Sequence, residues 1–506
     1  MRRIAICLVL LGAALISQAQ NLSPAFVSKL TATLADPKFE HAQWGVKIVS
    51  LDTGNTLFDH EATKLMTPAS NTKLFTAALA LDRLGPDFRI KTSIYAQAKP
   101  STNGTVAGNL VIYGRGDPTF SARFNGGDHA NVLAPLVNAI LASGVRRIEG
   151  DLVADDTYFR SPQFGFGWPW DDLQWAYAPP VSALNMDDNA LGFSIKPGKQ
   201  PGAPCTLLAN TNYLTFQNLV RTIRSNAAPN VQVFYPPGQT TLQITGTLPA
   251  GGPGYSDNVS VQNPTLCLIL QLKDALARKG VVITGHARLH NPAEPFDPAR
   301  WTEIATTQSP PLRDIVKEMM KSSQNLLAQI LFLQVGANKP SIKDGTAEQN
   351  SIAEMRRFLK EIGIQPGTVV TKEGAGLSPA TQIAPSAVVA LLLHMTHHRH
   401  CTAFTQGLPY AGVDGTLKTR FAGTPAEKHV WAKTGTMEGT SALSGYISTQ
   451  GNQHWAFSVM LNHYSGGKTT PREETDALVA LLASCPDPTS TPAPQPATTP
   501  TPAAKP

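Results

Sequence analysis

Pro68-Ala69-Ser70-Asn71-Thr72-Lys73-Leu74-Phe75-Thr76-Ala77-Ala78-Leu79-Ala80-Leu81 sets a serine and a lysine three residues apart at the head of an apolar run. The run predicts a helix over Leu74 to Leu84, with Pro68 as a stiff lead-in. A three-residue spacing on one helix puts both side chains on the same face, one turn apart. A serine hydroxyl is a poor nucleophile until a base takes its proton. For Lys73 to be that base, its pKa must fall from about 10.4 toward neutrality, at a cost of ~4–5 kcal/mol. Burial and neighbouring cations supply such a shift. The Ser70 backbone N–H, unpaired at the helix start, is placed to face a developing oxyanion.

Two further motifs follow in order, Ser323-Gln324-Asn325 and Lys433-Thr434-Gly435. Ser323 offers a hydroxyl that can relay a proton, and Asn325 an amide that can orient Lys73 and hold a substrate backbone. Lys433 offers a fixed positive charge for a substrate carboxylate, and Thr434 a hydroxyl. Gly435 lets a substrate approach the strand edge and add itself as a β-strand. The Thr436 N–H is the candidate second oxyanion donor, a type of contact typically worth about 3–4 kcal/mol.

Two imitations of these motifs occur in the same chain. Ser465-Gly466-Gly467-Lys468 repeats the S-x-x-K spacing, but its glycines read as a turn. Ser256-Asp257-Asn258 repeats S-x-N, but it follows Gly251-Gly252-Pro253-Gly254. Ser323 instead falls within a helical pattern predicted over Leu312 to Leu333. The histidine-rich stretch His394, His397, His398, His400 and Cys401 fits no zinc spacing and reads as the charged end of an apolar helix. Gly114-Arg115-Gly116-Asp117-Pro118 lacks a phosphate-loop lysine and reads as a β-turn. No metal or cofactor is expected.

The 506 residues call for two or three domains. Only 15% of the residues are charged, and the net charge of +6 includes no dense basic block, so nucleic acid is an unexpected partner. Arg2 and Arg3, the thirteen residues Ile4 to Ile16, and Ser17-Gln18-Ala19 form a secretory signal, too short to span a bilayer. An exported protein without a transmembrane anchor is expected, in the periplasm or secreted. Once Cys7 has left with the signal, four cysteines remain. Either Cys205–Cys267 and Cys401–Cys485 are bridged, which keeps each bridge within one domain, or all four are buried thiols. Residues 486–506 hold eight prolines and predict a disordered Pro/Thr-rich tail.

Taken together, the chain resembles the low-molecular-mass class C penicillin-binding proteins, secreted D-alanyl-D-alanine carboxypeptidase/endopeptidases. The resemblance runs over nearly all of the chain to about Cys485. It rests on the three motif neighbourhoods and on Gly114-Arg115-Gly116-Asp117-Pro118-Thr119, Tyr177-Ala178-Pro179-Pro180-Val181-Ser182-Ala183-Leu184-Asn185 and Gly412-Val413-Asp414-Gly415-Thr416-Leu417. It implies an α/β (α+β) catalytic domain with a five-stranded antiparallel sheet flanked by helices and the K-T-G on an edge strand. It also implies two inserted β-rich domains, which account for the 253-residue step from Ser70 to Ser323.

The implied bounds are 20–85 with 290–485 for the catalytic domain, 86–160 with 240–289 for the second domain, and 161–239 for the third. The implied activity is cleavage of D-Ala-D-Ala in peptidoglycan stem peptides through an acyl-enzyme on Ser70, with β-lactams as inhibitors. Asp155 and Met437 match positions that hold a substrate's amino-bearing side chain in some members. One departure is Glu373-Gly374-Ala375-Gly376-Leu377-Ser378-Pro379, where the family commonly has Asp-Gly-Ser-Gly-Leu-Ser-Arg. Competing readings are a β-lactamase or esterase on the same scaffold, which would keep its first two motifs closer together, and a non-hydrolytic wall-binding protein, which would not need a Ser70/Lys73 pair.

Overall fold

The computed structural model describes residues 22–209, 211, 213–291, 297–465 and 467–486. The signal segment 1–19, Gly466 of the second S-x-x-K match, and all of the tail beyond residue 486 lie outside the described residues.

The two ends of the chain build one domain around a five-stranded sheet. Its order is Thr56–His60, Gln43–Ser50, His454–Asn462, Thr440–Ser448, Val430–Met437, and every neighbouring pair is antiparallel. The two inner strands Thr440–Ser448 and His454–Asn462 are buried along nearly their whole length, so both faces must be covered. On one face Val46, Ile48, Leu443, Ile447, Phe457 and Val459 pack with Leu30 and Leu34 of helix Pro24–Leu34 and Leu478 and Leu482 of helix Pro471–Ala483. On the other face Ala442, Tyr446, Ala456 and Met460 meet helices Thr72–Leu84, Leu312–Ser322, Asn325–Asn338 and Pro385–His397. The Asn325–Asn338 helix is apolar around its circumference and sits in the middle of this layer. The K-T-G strand lies at the sheet edge, as the resemblance implies.

Two further units lie between Ser70 and Ser323, and their strands group differently from the expected bounds. The second unit carries a five-stranded sheet in the order Ala287–Leu289, Leu152–Asp155, Leu110–Tyr113, Lys91–Ala96, Thr302–Gln308. Thr302–Gln308 pairs with Lys91–Ala96, so this unit runs on past residue 289. Thr241–Pro249 and Tyr255–Ser260 pair with strands of the third unit rather than the second. Residues from 161 onward were expected in the third unit, yet Trp168, Leu173, Ala178 and Val181 are buried in the catalytic core.

The disulfide reading is overturned. Cys205, Cys267, Cys401 and Cys485 are all buried thiols, with no bridge between them. Cys205 belongs to the third unit's core, whereas Cys267 is on helix Pro264–Arg278, whose neighbouring Leu268 and Ile269 pack in the second unit. Cys485 lies in the core beneath one sheet face, while Cys401 opens the helix whose Phe404 packs on the other. Each supposed pair is therefore split between separate cores. The thermal unfolding midpoint is expected to be the same with and without a thiol reductant, measured by circular dichroism; a drop on reduction would reveal a bridge.

Candidate active site

The nucleophile turn is strained before it becomes a helix. Ala69 takes φ 46°, a left-handed conformation that costs a non-glycine residue about 1–3 kcal/mol. A short 3-10 turn over Ala69–Asn71 then feeds helix Thr72–Leu84, with the Thr72 hydroxyl donating to Ala69 O at 2.9 Å. Ser70 is half-buried, and Lys73 has no exposed surface. The Lys73 amine lies 2.8 Å from Ser70 Oγ, 2.5 Å from Asn325 Oδ1 and 2.6 Å from the Ala375 carbonyl oxygen. Burial lowers its pKa to about 7, against an opposing pull from Glu373. A neutral amine has two N–H donors and one lone pair. Two of its three neighbours can only accept and the third, a hydroxyl, can donate, so the cage can satisfy the free base as well as the ammonium, which would donate to all three.

The helix predicted over Leu312 to Leu333 is in fact two helices, Leu312–Ser322 and Asn325–Asn338, broken at Ser323. Ser323 sits at φ 60°, ψ 35° and Gln324 caps the second helix through Leu326 N–H. The break turns Ser323 Oγ toward Lys433, whose amine donates to it at 2.8 Å. Asn325 is held at both ends of its amide: Oδ1 accepts from Lys73, and Nδ2 donates to the Tyr177 carbonyl at 2.8 Å. Lys433 differs from the open positive charge expected of it. It is fully buried, it donates also to Thr434 O at 2.8 Å, and its pKa is pushed well down by burial, then by the charges of Lys73 and Arg420. Two buried amines this close disfavour carrying both charges at once.

The edge strand leaves its polar backbone open where a substrate would lie. Ala432 N–H donates outward to Pro409 O, and Val430 O accepts outward from Ala411 N–H. Strand groups alternate with period two, so the Thr434 and Thr436 backbone groups face this same outer edge beyond the last such contact. Thr436 is exposed and Met437 half-buried at the strand end, while Thr434 Oγ1 is 2.9 Å from Thr416 Oγ1. Gly435 has a further reason to be glycine. A Cβ there would lie 2.4 Å from Pro68 O and 3.0 Å from Asn71 Nδ2, so its absence lets the strand press against the nucleophile turn.

Asp155 does not join this cluster. It ends strand Leu152–Asp155, has no exposed surface, and its Oδ1 accepts from the Thr157 N–H and hydroxyl at 2.9 and 2.7 Å. The carboxylate that lines the neighbouring groove is Asp257, and Asp172 is tied to its wall through Tyr177. Tyr177 donates its hydroxyl to Asp172 at 2.6 Å and lines a groove of about 590 Å³ with Trp175, Ala176, Ser323, Gln324 and Asn325. The Tyr177-Ala178-Pro179 stretch was recognisable in the sequence, but nothing local in it shows that its backbone holds Asn325. Glu373 was legible only as a departure from the family pattern, yet its loop supplies the Ala375 carbonyl to Lys73.

Comparison with known proteins agrees with this geometry. Residues 26–485 match the family described as D-Ala-D-Ala carboxypeptidase 3 (S13). The D-alanyl-D-alanine carboxypeptidase of Actinomadura sp. (strain R39) is 33% identical over 470 residues, covering 90% of this chain and 84% of that protein. D-alanyl-D-alanine carboxypeptidase DacB of Haemophilus influenzae is 28% identical over 93% of this chain and 95% of its own. Among solved structures, penicillin binding protein 4 (dacB) from Haemophilus influenzae superposes with a TM-score of 0.78 at 27% identity, covering 90% of this chain and 98% of its own. The same protein complexed with a β-lactam gives 0.74 at 26% identity, with the same coverage.

Replacing Gly435 by alanine sets a methyl group against backbone that cannot swing aside. Gly435→Ala is expected to displace the strand from Ser70 and to slow acylation by a β-lactam about 100-fold, the typical cost of a misplacement near 1 Å. Stopped-flow acylation kinetics check this, and an unchanged rate would refute it.

Proposed function

The chain belongs to the D-Ala-D-Ala carboxypeptidase 3 (S13) family, and we propose how its residues divide the work of a serine D-Ala-D-Ala carboxypeptidase. The observation that carries the assignment of roles is the contact between the buried Lys73 amine and Ser70 Oγ. The neutral amine takes the hydroxyl proton as Ser70 Oγ attacks the carbonyl carbon between the two D-alanines. The oxyanion that forms is met by the Ser70 and Thr436 N–H groups. As the C–N bond breaks, the proton held by Lys73 passes to the departing D-alanine nitrogen, with Ser323 as the relay. Water then resolves the ester by the same steps in reverse order. Asn325 and the Thr434–Thr436 edge hold the peptide backbone on either side, and Thr434 Oγ1 faces its terminal carboxylate.

The substrate is the stem peptide of peptidoglycan, and a crosslink between stems presents the same kind of bond, so endopeptidase activity belongs to this reading. Asp172 and Met437, rather than Asp155, receive an amino-bearing side chain at the rim. β-Lactams acylate Ser70 because their strained amide occupies the same position. The segment Arg2 to Ala19 directs export to the periplasm. Among the described residues no helix is long and apolar enough to cross a membrane.

Ser70→Ala is expected to abolish labelling by a fluorescent penicillin and to cut D-alanine release from a pentapeptide by at least ~10⁴-fold. Undiminished labelling would overturn the nucleophile. Wild-type kcat/KM should fall as pH drops below about 7, because the ammonium form of Lys73 cannot accept the serine proton. A profile flat down to the range of ordinary carboxylates would exclude Lys73 as the base.

A further inference from the structure

We infer that Glu373 is a positioning residue that sets the basicity of Lys73 through the peptide group joining Ala375 and Gly376. The inference rests on the assignment of Lys73 as the base. Glu373 has no exposed surface, and every contact of its carboxylate is with a donor. Oε2 accepts from Ala375 N–H at 2.7 Å and from the Trp168 indole N–H at 3.2 Å. Oε1 accepts from Gly376 N–H at 2.7 Å and from the Thr381 hydroxyl at 3.5 Å. This is the pattern an ionised carboxylate takes.

The Gly376 N–H and the Ala375 carbonyl belong to one peptide unit. The carboxylate pulls on one end of that unit, and Lys73 donates to the other end at 2.6 Å. Hydrogen bonds chained in this way polarise one another, so the carbonyl becomes a stronger acceptor for the amine and for the ammonium that forms during acylation. The turn is kept in place around this unit. Gly374 N–H donates to Gln329 Oε1 at 2.7 Å, and Gly374 O accepts from the Thr76 hydroxyl at 2.7 Å. Gly376 takes φ +83°, and a Cβ on it would lie 2.0 Å from Ala69 O. The turn therefore touches the nucleophile loop directly.

Other charges face the pair. Lys433 approaches Lys73 from the edge strand, with Arg420 acting on Lys433. Glu348 stands behind Glu373, with Gln329 Nε2 donating to it at 3.0 Å. Glu373 is the only carboxylate joined to Lys73 through a single peptide unit among these described residues. Its charge favours the ammonium, so removing it lowers the Lys73 pKa and weakens the base.

The test is acylation of Ser70 by a chromogenic cephalosporin followed by stopped flow from about pH 5 to 9. Glu373→Gln is expected to move the acidic limb down by about one unit and to lower the plateau ~10-fold. Glu373→Asp, which keeps the charge, should bring the limb back toward wild type. Trp168→Phe keeps the carboxylate but removes a donor from it, so its limb should move up. A folded Glu373→Gln enzyme whose limb stays or rises overturns the inference. Should that variant not fold, a Trp168→Phe limb that stays or falls overturns it instead. A wild-type enzyme that the cephalosporin does not acylate at Ser70 would instead refute the underlying assignment of the nucleophile.

Discussion

The burial of one amine organises the catalytic centre. Stripping Lys73 of water makes its charged form costly, and the surroundings answer with three oxygen partners for the nitrogen. One partner, Ser70, is on the adjoining turn, and two come from distant parts of the chain: Asn325 at the start of the central helix and Ala375 in the turn after Glu373. An amine buried without them would cost about 1–3 kcal/mol, so the convergence of these segments offsets a penalty that the burial of the Thr72–Leu84 helix would otherwise carry. Two glycines make the convergence possible. Gly376 and Gly435 each lie where a methyl group would meet the backbone of residues 68–69, one from the turn side and one from the sheet edge.

Lys433 extends the same constraint. Burial, and then the charge of Lys73, push Lys433 toward its neutral form. The Lys433 amine is instead spent on the Ser323 hydroxyl and the Thr434 carbonyl. An open ammonium at Lys433 would bind a carboxylate more strongly in the ground state, but it would lose its contact with the Ser323 hydroxyl.

Local chemistry was readable in the sequence, and long-range pairing was not. Ser70 and Lys73 share one helix start, and Lys433 to Thr436 one strand, so spacing alone carried their geometry. At Ser323 the apolar periodicity runs through the break from Leu312 to Leu333, and periodicity does not register a single residue that turns left-handed. The bounds of the inserted units failed because Thr302–Gln308 pairs with Lys91–Ala96 across some two hundred residues, a register no local pattern reveals. Asp155 matched a position by sequence order alone, whereas its location at the end of a buried strand depends on the whole second sheet. The same holds for the cysteines, whose separation follows from which core each joins.

The inserted region is also part of the active site rather than an appendage to it. Residues of the segment that leaves the second unit and crosses the catalytic core supply the Trp168 indole to Glu373 and the Tyr177 carbonyl to Asn325. Without that crossing, Glu373 would lose a donor and the Asn325 amide would be pinned at one end only. A free amide can rotate and offer Lys73 its NH₂ group in place of Oδ1, which would put two donors face to face. The Lys73 cage would then lose an acceptor from the side opposite Ala375. The long spacing between the first two motifs thus contains groups that hold the partners of Lys73, and this domain is incomplete without the strap that crosses it.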